Sequence, residues 1–365
     1  MRAVRENFSG AVLGDVNIDV YGKFPALPEK GQGINTDNLD MSLGGTAMNL
    51  SRLLAVLGLK PYPVASLGRG ALGDMAAQEI EAFSLPAIGL RRKEGRTGLM
   101  YCVITPDGDR TMLGYRGVNK KSLNYRRIIE QLPLGNPLSF LFISAYLFLS
   151  REQRQRLTRC LDYLDAQKNR GEKPKKAVVM SHLFARQAGE KGEKRGTEFE
   201  PLKRADMLFM NKDEFELLAG GLSRRNLRKF AQNFALESLL VTAGEEGCWL
   251  FSKNDEYNGE NSREDNREEE GDIVDRIAGF PRRAVDTTGA GDCFAAGFMG
   301  FILAGAEPEK AALFGNFCGA VATTDYGLSG PLENLRDLLG FYELSPEKTD
   351  RLRLEKALEK LAQQK

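Results

Sequence analysis

Short apolar runs alternate with amphipathic runs along most of the chain. Continuous apolar runs of strand length lie at 10–16, 61–68, 138–146, 175–181, 205–211 and 237–244. Segments with helical periodicity lie between them, at 46–58, 73–83, 150–169, 212–219 and 223–235. Apolar strands that alternate with helices are typical of a parallel sheet covered on both faces. The pattern therefore predicts an α/β fold with a mainly parallel central sheet.

Two regions interrupt this alternation. Residues 31–43 and 97–116 have the composition of antiparallel strands, and the second contains the turn Pro-Asp-Gly-Asp. We expect a small β-sheet lid whose strands lie within 15–43 and 97–116. The acidic segment 252–272 has almost no apolar residues, so we expect a mobile loop between two strands. Residues 1–345 then form the main domain, and 346–365 form a C-terminal helix.

Composition and charge narrow the class of protein. The 51 basic and 50 acidic side chains give a net charge of +1, which predicts no general attraction to nucleic acid or to an anionic membrane. The five cysteines are scattered and never form C-x-x-C, which favours reduced core thiols over a zinc site or disulfides. No apolar run is long enough to span a membrane. We therefore expect a cytoplasmic protein.

The sequence DTTGAGD, residues 286–292, leads directly into an apolar helix of small residues. Gly289, Ala290 and Gly291 have little bulk, so the backbone can approach a ligand closely. The free N–H groups at the start of the helix add partial positive charge, which suits a phosphate. Asp292 could there take a proton from an attacking hydroxyl. The alternative is an ordinary glycine-rich turn with an acidic helix cap.

The sequence GRGALG, residues 68–73, matches the glycine pattern of dinucleotide-binding proteins. In those proteins it follows the first strand, and an acidic residue comes about 20 residues later. Here it follows the second predicted strand, and Glu94 is the acidic residue of a basic segment near 88–94. An NAD-dependent oxidoreductase is therefore the weaker alternative. The chain also lacks the P-loop pattern, so we expect the phosphate site at 289–292.

Two signatures in this chain resemble those of the ribokinase-like (PfkB) family of carbohydrate and nucleoside kinases. They are GGTAMNLSRLLAVLG at 44–58 and DTTGAGDCFAAGF at 286–298. Further similar stretches are GDVNID at 14–19, YRGVN at 115–119, MNKDE at 210–214, VTAGEEGCW at 241–249 and FGNFCGAVATTDYG at 314–327. The resemblance covers about residues 10–340. It implies a ribokinase-like three-layer α/β/α sandwich with a lid, and ATP-dependent phosphorylation of a hydroxyl on a sugar or sugar-like substrate.

The resemblance also implies roles for individual residues. Substrate-binding positions are Asn17, Asp19, Gly44, Gly45, Asn49 and Asn119. Nucleotide-binding positions are Asn211, Glu214, Thr242, Gly244, Gly247 and Asn316. Glu214 would act on Mg²⁺ through water, and Asp286 and Thr288 match positions that often bind a monovalent cation such as K⁺. Structural alternatives are a polar strand end for Asn17 and Asp19, a packing amide for Asn49 and a first-turn helix carboxylate for Glu214.

The identity of the phosphate acceptor stays open. Ser144, Tyr146 and Ser181 lie where the family often has glutamate or asparagine, so the pocket differs from that of a standard ribokinase. A nucleoside of the adenosine or pseudouridine type is the alternative to a sugar. An acidic sugar that meets basic side chains is a further option, with Arg69, Arg116 and Lys120 as the candidates. The lid could also pair two chains into a homodimer.

Overall fold

The computed structural model describes residues 8–106, 110–133, 138–167, 173–190, 196–253 and 272–363. The strands are β1 Ser9–Leu13, β2 Asn17–Lys23, β3 Leu39–Gly44, β4 Lys60–Val64, β5 Ser66–Leu67, β6 Arg91–Arg92, β7 Gly98–Ile104, β8 Arg110–Tyr115, β9 Phe140–Ser144, β10 Lys175–Val179, β11 Met207–Asn211, β12 Ser238–Thr242, β13 Gly247–Ser252 and β14 Ile273–Ala278. The α-helices are α1 Thr46–Val56, α2 Ala71–Ala82, α3 Tyr125–Glu130, α4 Arg151–Ala166, α5 His182–Glu190, α6 Lys212–Ala219, α7 Arg224–Phe234, α8 Ala290–Leu303, α9 Pro308–Ala322, α10 Ser329–Phe341 and α11 Arg351–Gln363.

The central sheet has eight strands in the order β14-β13-β12-β11-β10-β9-β1-β4. The strands from β12 to β4 are mutually parallel, whereas β13 pairs antiparallel with both of its neighbours, β12 and β14. Side chains alternate between two cores, as β9 illustrates: Phe140 and Phe142 pack on one face, Leu141 and Ile143 on the other. Helices α1, α8 and α9 cover the first face, and α4 to α7 cover the second. The prediction of a mainly parallel sheet between helical layers is confirmed.

The second predicted strand is divided in two. β4 joins the central sheet, but β5 leaves it and pairs with β6 in a separate two-stranded sheet. The dinucleotide-like glycines follow β5, so they do not extend from the central sheet as such a site requires. A Cβ on Gly73 would lie only 2.1 Å from the carbonyl oxygen of Gly68, which shows that this turn is tightly packed. The tight packing of this turn therefore explains its glycines without a bound dinucleotide.

The lid is a four-stranded sheet in the order β3-β2-β7-β8. Its inner pair, β2 and β7, is parallel, whereas the two outer pairs are antiparallel. The prediction of strands over 31–43 was too long: residues 31–38 are irregular and largely exposed, since they are polar and contain two glycines. Asn17 and Asp19 lie within the lid strand β2, so the alternative of a polar strand end applies at most to Asn17, its first residue. The turn residues 107–109 lie outside the described residues.

The acidic segment lies almost wholly outside the described residues, which omit 254–271. Its two ends continue from β13 and into β14, which pair antiparallel at the edge of the sheet. At the C-terminus, α11 buries Leu354, Ala357 and Leu361 against the same core as α8 and α9. In the described part of the chain, no helix has the length and apolar character needed to cross a membrane.

Candidate active site

Helix α8 begins at Ala290, and Asp292 lies in its first turn. Gly289 precedes the helix with a φ of 74°, a left-handed conformation that favours glycine. The N–H of Ala290 donates to the Thr287 carbonyl oxygen at 3.3 Å. Within the described residues, the N–H groups of Gly291 and Asp292 have no such acceptor. The start of α8 therefore offers two unused donors to an anion.

A chain of hydrogen bonds holds the Asp292 carboxylate in place. The Asn49 Nδ2 donates to Asp292 Oδ2 at 2.8 Å, which joins α1 to α8. The Arg52 Nη2 in turn donates to Asn49 Oδ1 at 3.0 Å and to the Leu43 carbonyl oxygen at 2.6 Å. Asn49 is thus oriented by the arginine one turn further along α1. This contact makes Asn49 a partner of the candidate base.

Burial raises the pKa of Asp292 to about 7, although Asn49 and the charge of Arg52 lower it. A carboxyl group with a pKa near the working pH can both accept and release a proton. Asp292 therefore has the protonation behaviour expected of a general base, and it lies beside unused backbone donors.

The lid contributes a second buried carboxylate. Asp19 in β2 is 4% exposed, and its Oδ2 accepts a hydrogen bond from the Tyr21 hydroxyl at 3.3 Å. Its Oδ1 is buried without a hydrogen-bond partner in the described structure. Burial raises the pKa of Asp19 to about 7, and the charge of Asp292 contributes to this shift. An unpaired buried acceptor near the candidate base is suited to a hydroxyl donor on a ligand.

The position of the Asp19 side chain explains why residue 44, the first of the two residues before α1, is glycine. A Cβ on Gly44 would lie 2.0 Å from Asp19 Oδ2, so a larger residue would displace the carboxylate. Gly45 follows as the residue immediately before α1. The structure thus brings Asp19, Gly44, Gly45, Asn49 and Asp292 into one connected group.

Asn17 and Asn119 form the neighbouring wall. The Asn119 Nδ2 donates to Asn17 Oδ1 at 2.9 Å and to the Val16 carbonyl oxygen at 2.9 Å. Beside them, Arg116 makes hydrogen bonds of 3.0–3.1 Å to both carboxylate oxygens of Asp15. Burial raises the pKa of Asp15 to about 6, against the opposing effect of Arg116. The cation of Arg116 is therefore compensated within the protein.

A cavity of about 400 Å³ is lined in part by the first turns of α8. Four of the six predicted nucleotide-binding residues line it: Thr242, Gly244, Gly247 and Asn316. Ala290 and Gly291 line it too, so the cavity reaches the unused donors at the start of α8. The amide of Asn316 donates to the Ile277 and Ala278 carbonyl oxygens at 3.1 and 3.4 Å, which anchors the end of β14.

Asn211 and Glu214 lie at the junction of β11 and α6, outside the lining of that cavity. The Asn211 side chain accepts from the Glu214 N–H at 2.8 Å, and Glu214 Oε2 accepts from the Asn211 N–H at 2.9 Å. This reciprocal pair is a capping box, so both residues have a structural role. Burial raises the pKa of Glu214 to about 7, and the charge of Asp292 adds to the shift.

Asp286 holds the loop that precedes α8. Its Oδ1 accepts from the N–H and hydroxyl of Thr288 at 2.9 and 2.7 Å, and its Oδ2 accepts from the Gly327 N–H at 3.1 Å. Within the described ranges, no group of three or more His, Cys, Asp or Glu side chains converges on a metal site. Mg²⁺ commonly uses one or two carboxylates, water and substrate phosphates, so the lone carboxylate of Glu214 near Asp292 fits it.

Two groups at the site were missed from the sequence. Arg52 lies three residues after Asn49 on α1, and this helical spacing could have indicated a shared face. The pairing of Asp15 with Arg116 joins positions 101 residues apart, so no local pattern reveals it. Arg116 also lies 5.1 Å from the centre of the Tyr146 ring.

Comparisons with known proteins identify the family and the fold. The chain matches the family described as pfkB family carbohydrate kinase over residues 9–335. It is 26% identical to an uncharacterized sugar kinase, YegV, of Escherichia coli, covering 87% of this chain and 88% of the relative. It is also 26% identical to an ATP-dependent ribose-1-phosphate kinase of Halopiger xanaduensis, covering 84% and 89%. A ribokinase structure from Thermotoga maritima superposes with a TM-score of 0.64 at 19% identity, covering 96% of this chain and 99% of that one.

The fold and site therefore define a kinase of sugars or nucleosides, built on the ribokinase fold. The chain belongs to the pfkB family of carbohydrate kinases. The ribokinase-like resemblance of the sequence and the predicted fold class are both confirmed.

Proposed function

We propose that this protein transfers the γ-phosphoryl group of ATP to a hydroxyl of a neutral sugar or sugar-like substrate. The observation that carries the proposal is the position of Asp292. It directly follows Ala290 and Gly291, which line the 400 Å³ cavity, and its charge acts on the lid carboxylate of Asp19, which has an unpaired oxygen. A nucleotide in the cavity and a polyol under the lid would meet at this carboxylate.

In this mechanism Asp292 takes the proton of the acceptor hydroxyl as the oxygen attacks the γ-phosphorus. The O–P bond to the acceptor forms, the bond to the β-phosphate bridging oxygen breaks, and ADP leaves. Asn49 keeps the carboxylate oriented through its 2.8 Å hydrogen bond. The N–H groups of Gly291 and Asp292 stabilise the charge that develops on the transferred group. The backbone of Gly289 and Ala290 allows the close approach.

Among the predicted substrate residues, Asp19, Asn17 and Asn119 offer carboxylate and amide groups suited to sugar hydroxyls. A neutral acceptor fits better than an acidic one, because Arg116 is already paired with Asp15 in a buried contact. Arg69 is likewise paired with Glu94, at 2.9 Å on the surface. A nucleoside acceptor remains the second candidate of the same family.

Mg²⁺ and K⁺ are part of the proposal. Glu214 would hold Mg²⁺ through water, and the bound ion would neutralise charge on the nucleotide phosphates. A cation there would also relieve the repulsion between Glu214 and Asp292 that raises the pKa of Glu214. Asp286 and Thr288 are the proposed neighbours of a monovalent cation. ATP consumption and five buried thiols without disulfides suit the cytoplasm.

The direct test measures ADP release with Mg²⁺-ATP against a panel of acceptors: neutral sugars and polyols, sugar acids, sugar phosphates and nucleosides. Phosphorus NMR of the product identifies the phosphorylated hydroxyl. We expect one neutral polyol to raise the rate far above the acceptor-free background. A nucleoside as the best acceptor would select the second candidate, and a sugar acid or sugar phosphate would overturn the inference from the Asp15–Arg116 pair.

We also infer that two chains pair through their lids. The strand register puts Leu39, Met41, Tyr101, Leu113 and Tyr115 on the lid face opposite Asp19, and all five are exposed. An exposed apolar face of this kind is typical of a protein–protein contact. On the same face Ile18, Val20 and Leu43 are buried in the core. Pairing through the five exposed residues would leave the Asp19 side free for substrate.

A further inference from the structure

Arg282 lies in the connection between β14 and α8, at the wall of the 400 Å³ cavity. Thr287, Ala290 and Gly291 line the same cavity, so Arg282 shares it with the start of α8. Its Nε and Nη1 atoms are buried and make no hydrogen bond to any described residue. Arg282 thus presents unused donors in a concave site.

Arg282 is half-buried, and two guanidinium nitrogens without solvent or a hydrogen-bond partner are unfavourable for the folded protein. The buried Arg116 has such a partner in Asp15, and Arg52 donates to Asn49 and Leu43. For Arg282 burial lowers the pKa, and no carboxylate of the described residues offsets this effect. Glu245, the acidic residue of the same lining, is exposed to solvent.

The connection does not need Arg282 to hold its shape. Arg351 from α11 donates to the Ala278 and Gly279 carbonyl oxygens at 2.9 and 2.6 Å, and its guanidinium lies 4.8 Å from the centre of the Phe280 ring. The next residue, Arg283, is exposed and lines a separate open cleft. The two adjacent arginines therefore face different surroundings, and only Arg282 faces the cavity.

We infer that Arg282 binds the phosphate chain of the nucleotide, as a second cationic group beside the N-terminus of α8. This inference rests on the proposed function, because it takes the cavity to be the nucleotide site. Guanidinium groups bind phosphate oxygens with two parallel hydrogen bonds, and the unpaired Nε and Nη1 are available for them. A bound phosphate would supply a negative charge next to the guanidinium of Arg282, which has no ion-pair partner among the described residues. Arg282 is thus a nucleotide-binding residue, with Asp292 remaining the base.

Calorimetric titration with ADP and with inorganic tripolyphosphate tests this assignment, because tripolyphosphate has no base or ribose. The variants are Arg282→Gln and Arg282→Lys, with Arg283→Gln as the neighbouring control. We expect Arg282→Gln to weaken both ligands about tenfold or more, as for the loss of a charged hydrogen bond. Arg282→Lys should recover part of the affinity, and Arg283→Gln should bind like the wild type. The melting temperature of ligand-free Arg282→Gln should equal or exceed that of the wild type.

Three results would overturn the assignment. In the first, Arg282→Gln weakens ADP but not tripolyphosphate, which would assign the guanidinium to the base or ribose. In the second, neither affinity changes. In the third, the wild type binds ADP but not tripolyphosphate, so the cavity lacks a phosphate-binding region. A wild type that binds neither ADP nor ATP would instead refute the proposed function itself. Failure of the Arg282 assignment and failure of the proposed function therefore give different results.

Discussion

At the residue scale, the burial that suits Asp292 to catalysis by raising its pKa also lowers the stability of the folded protein when the carboxyl is ionised. Its pKa is raised by burial from the ordinary 3.8 to about 7, so the folded protein holds this proton more tightly than the unfolded chain. The contribution of the protonated Asp292 carboxyl to the free energy of unfolding is complete below about pH 4 and is lost as the pH rises through 7. Asp19 and Glu214, whose pKa values are also raised to about 7, act in the same direction.

We therefore predict that Asp292→Asn raises the free energy of unfolding at pH 8, because asparagine keeps an acceptor for Asn49 and never ionises. The gain should shrink as the pH falls and vanish below about pH 4, where the wild-type carboxyl becomes protonated in both states. Urea unfolding at several pH values measures this, with the exposed Asp337→Asn as the control. A variant no more stable than the wild type at pH 8 would show that burial does not disfavour the charge.

Gly289 permits a second prediction at this scale. A Cβ there would lie 2.8 Å from Leu328 Cδ1 and 3.2 Å from Asn49 Nδ2, in a left-handed backbone conformation. Gly289→Ala should therefore lower the melting temperature, with a cost of about 1–3 kcal/mol, and reduce turnover by moving Asn49. Gly291→Ala is the control, since its Cβ would have no neighbour within 4 Å. We expect it to melt like the wild type while weakening nucleotide binding. Equal melting of both variants would contradict this account.

Most residues of the candidate site could be identified individually from the sequence. The glycines and carboxylates of DTTGAGD suit phosphate binding and proton transfer whatever residues lie around them in the fold. The sequence did not indicate their contacts. Asn49 was expected to meet a substrate hydroxyl, but its amide donates to Asp292 across 243 positions of the chain. Such long-range pairs depend on how α1 and α8 pack, which no local pattern determines.

At the element scale, the ion pair of Asp15 and Arg116 joins the entrance of the lid strand β2 to the segment after β8. Both side chains are largely buried. We predict that Arg116→Met costs about 3–5 kcal/mol, because it leaves the Asp15 charge buried and unpaired. Arg69→Met is the control: its pair with Glu94 is exposed, so the cost should stay below about 1 kcal/mol.

Denaturant unfolding of both variants measures these costs, and the double variant Asp15→Asn, Arg116→Met should recover part of the loss. Equal, small costs for Arg116→Met and Arg69→Met would mean that the buried pair adds nothing to the lid connection.

The sequence predicted the elements of the central sheet better than those of the lid. Stretches such as 140–143 and 207–210 are apolar throughout, because both faces of β9 and β11 are buried there. The first predicted strand, 10–16, extends beyond the end of β1 at Leu13, because residues 14–16 are also buried even though Asp15 is charged. The strand position of residues 39–44 depends on pairing with β2, a tertiary contact that composition does not reveal.

At the scale of the whole molecule, the lid face proposed for pairing leads to a prediction about assembly. Leu113→Lys should convert the expected dimer to a monomer, because it puts a charge into an apolar contact. Leu352→Lys on α11 is a matched control, since Leu113 and Leu352 are each 60% exposed. Light scattering coupled to size exclusion gives the mass directly. A monomeric wild type, or equal masses for all three proteins, would refute pairing through the lid.

The central claim is that Asp292 takes the proton of the acceptor hydroxyl. The most direct test compares acceptor-stimulated ADP release by the wild type and by Asp292→Asn across pH. We expect a wild-type kcat/KM that rises with pH and levels off above about 7, since the base must be ionised. The variant should lose about 100-fold or more of this rate while still binding ATP. A variant that keeps wild-type turnover, or a wild-type rate that falls as Asp292 ionises, would contradict the assignment of Asp292 as the base.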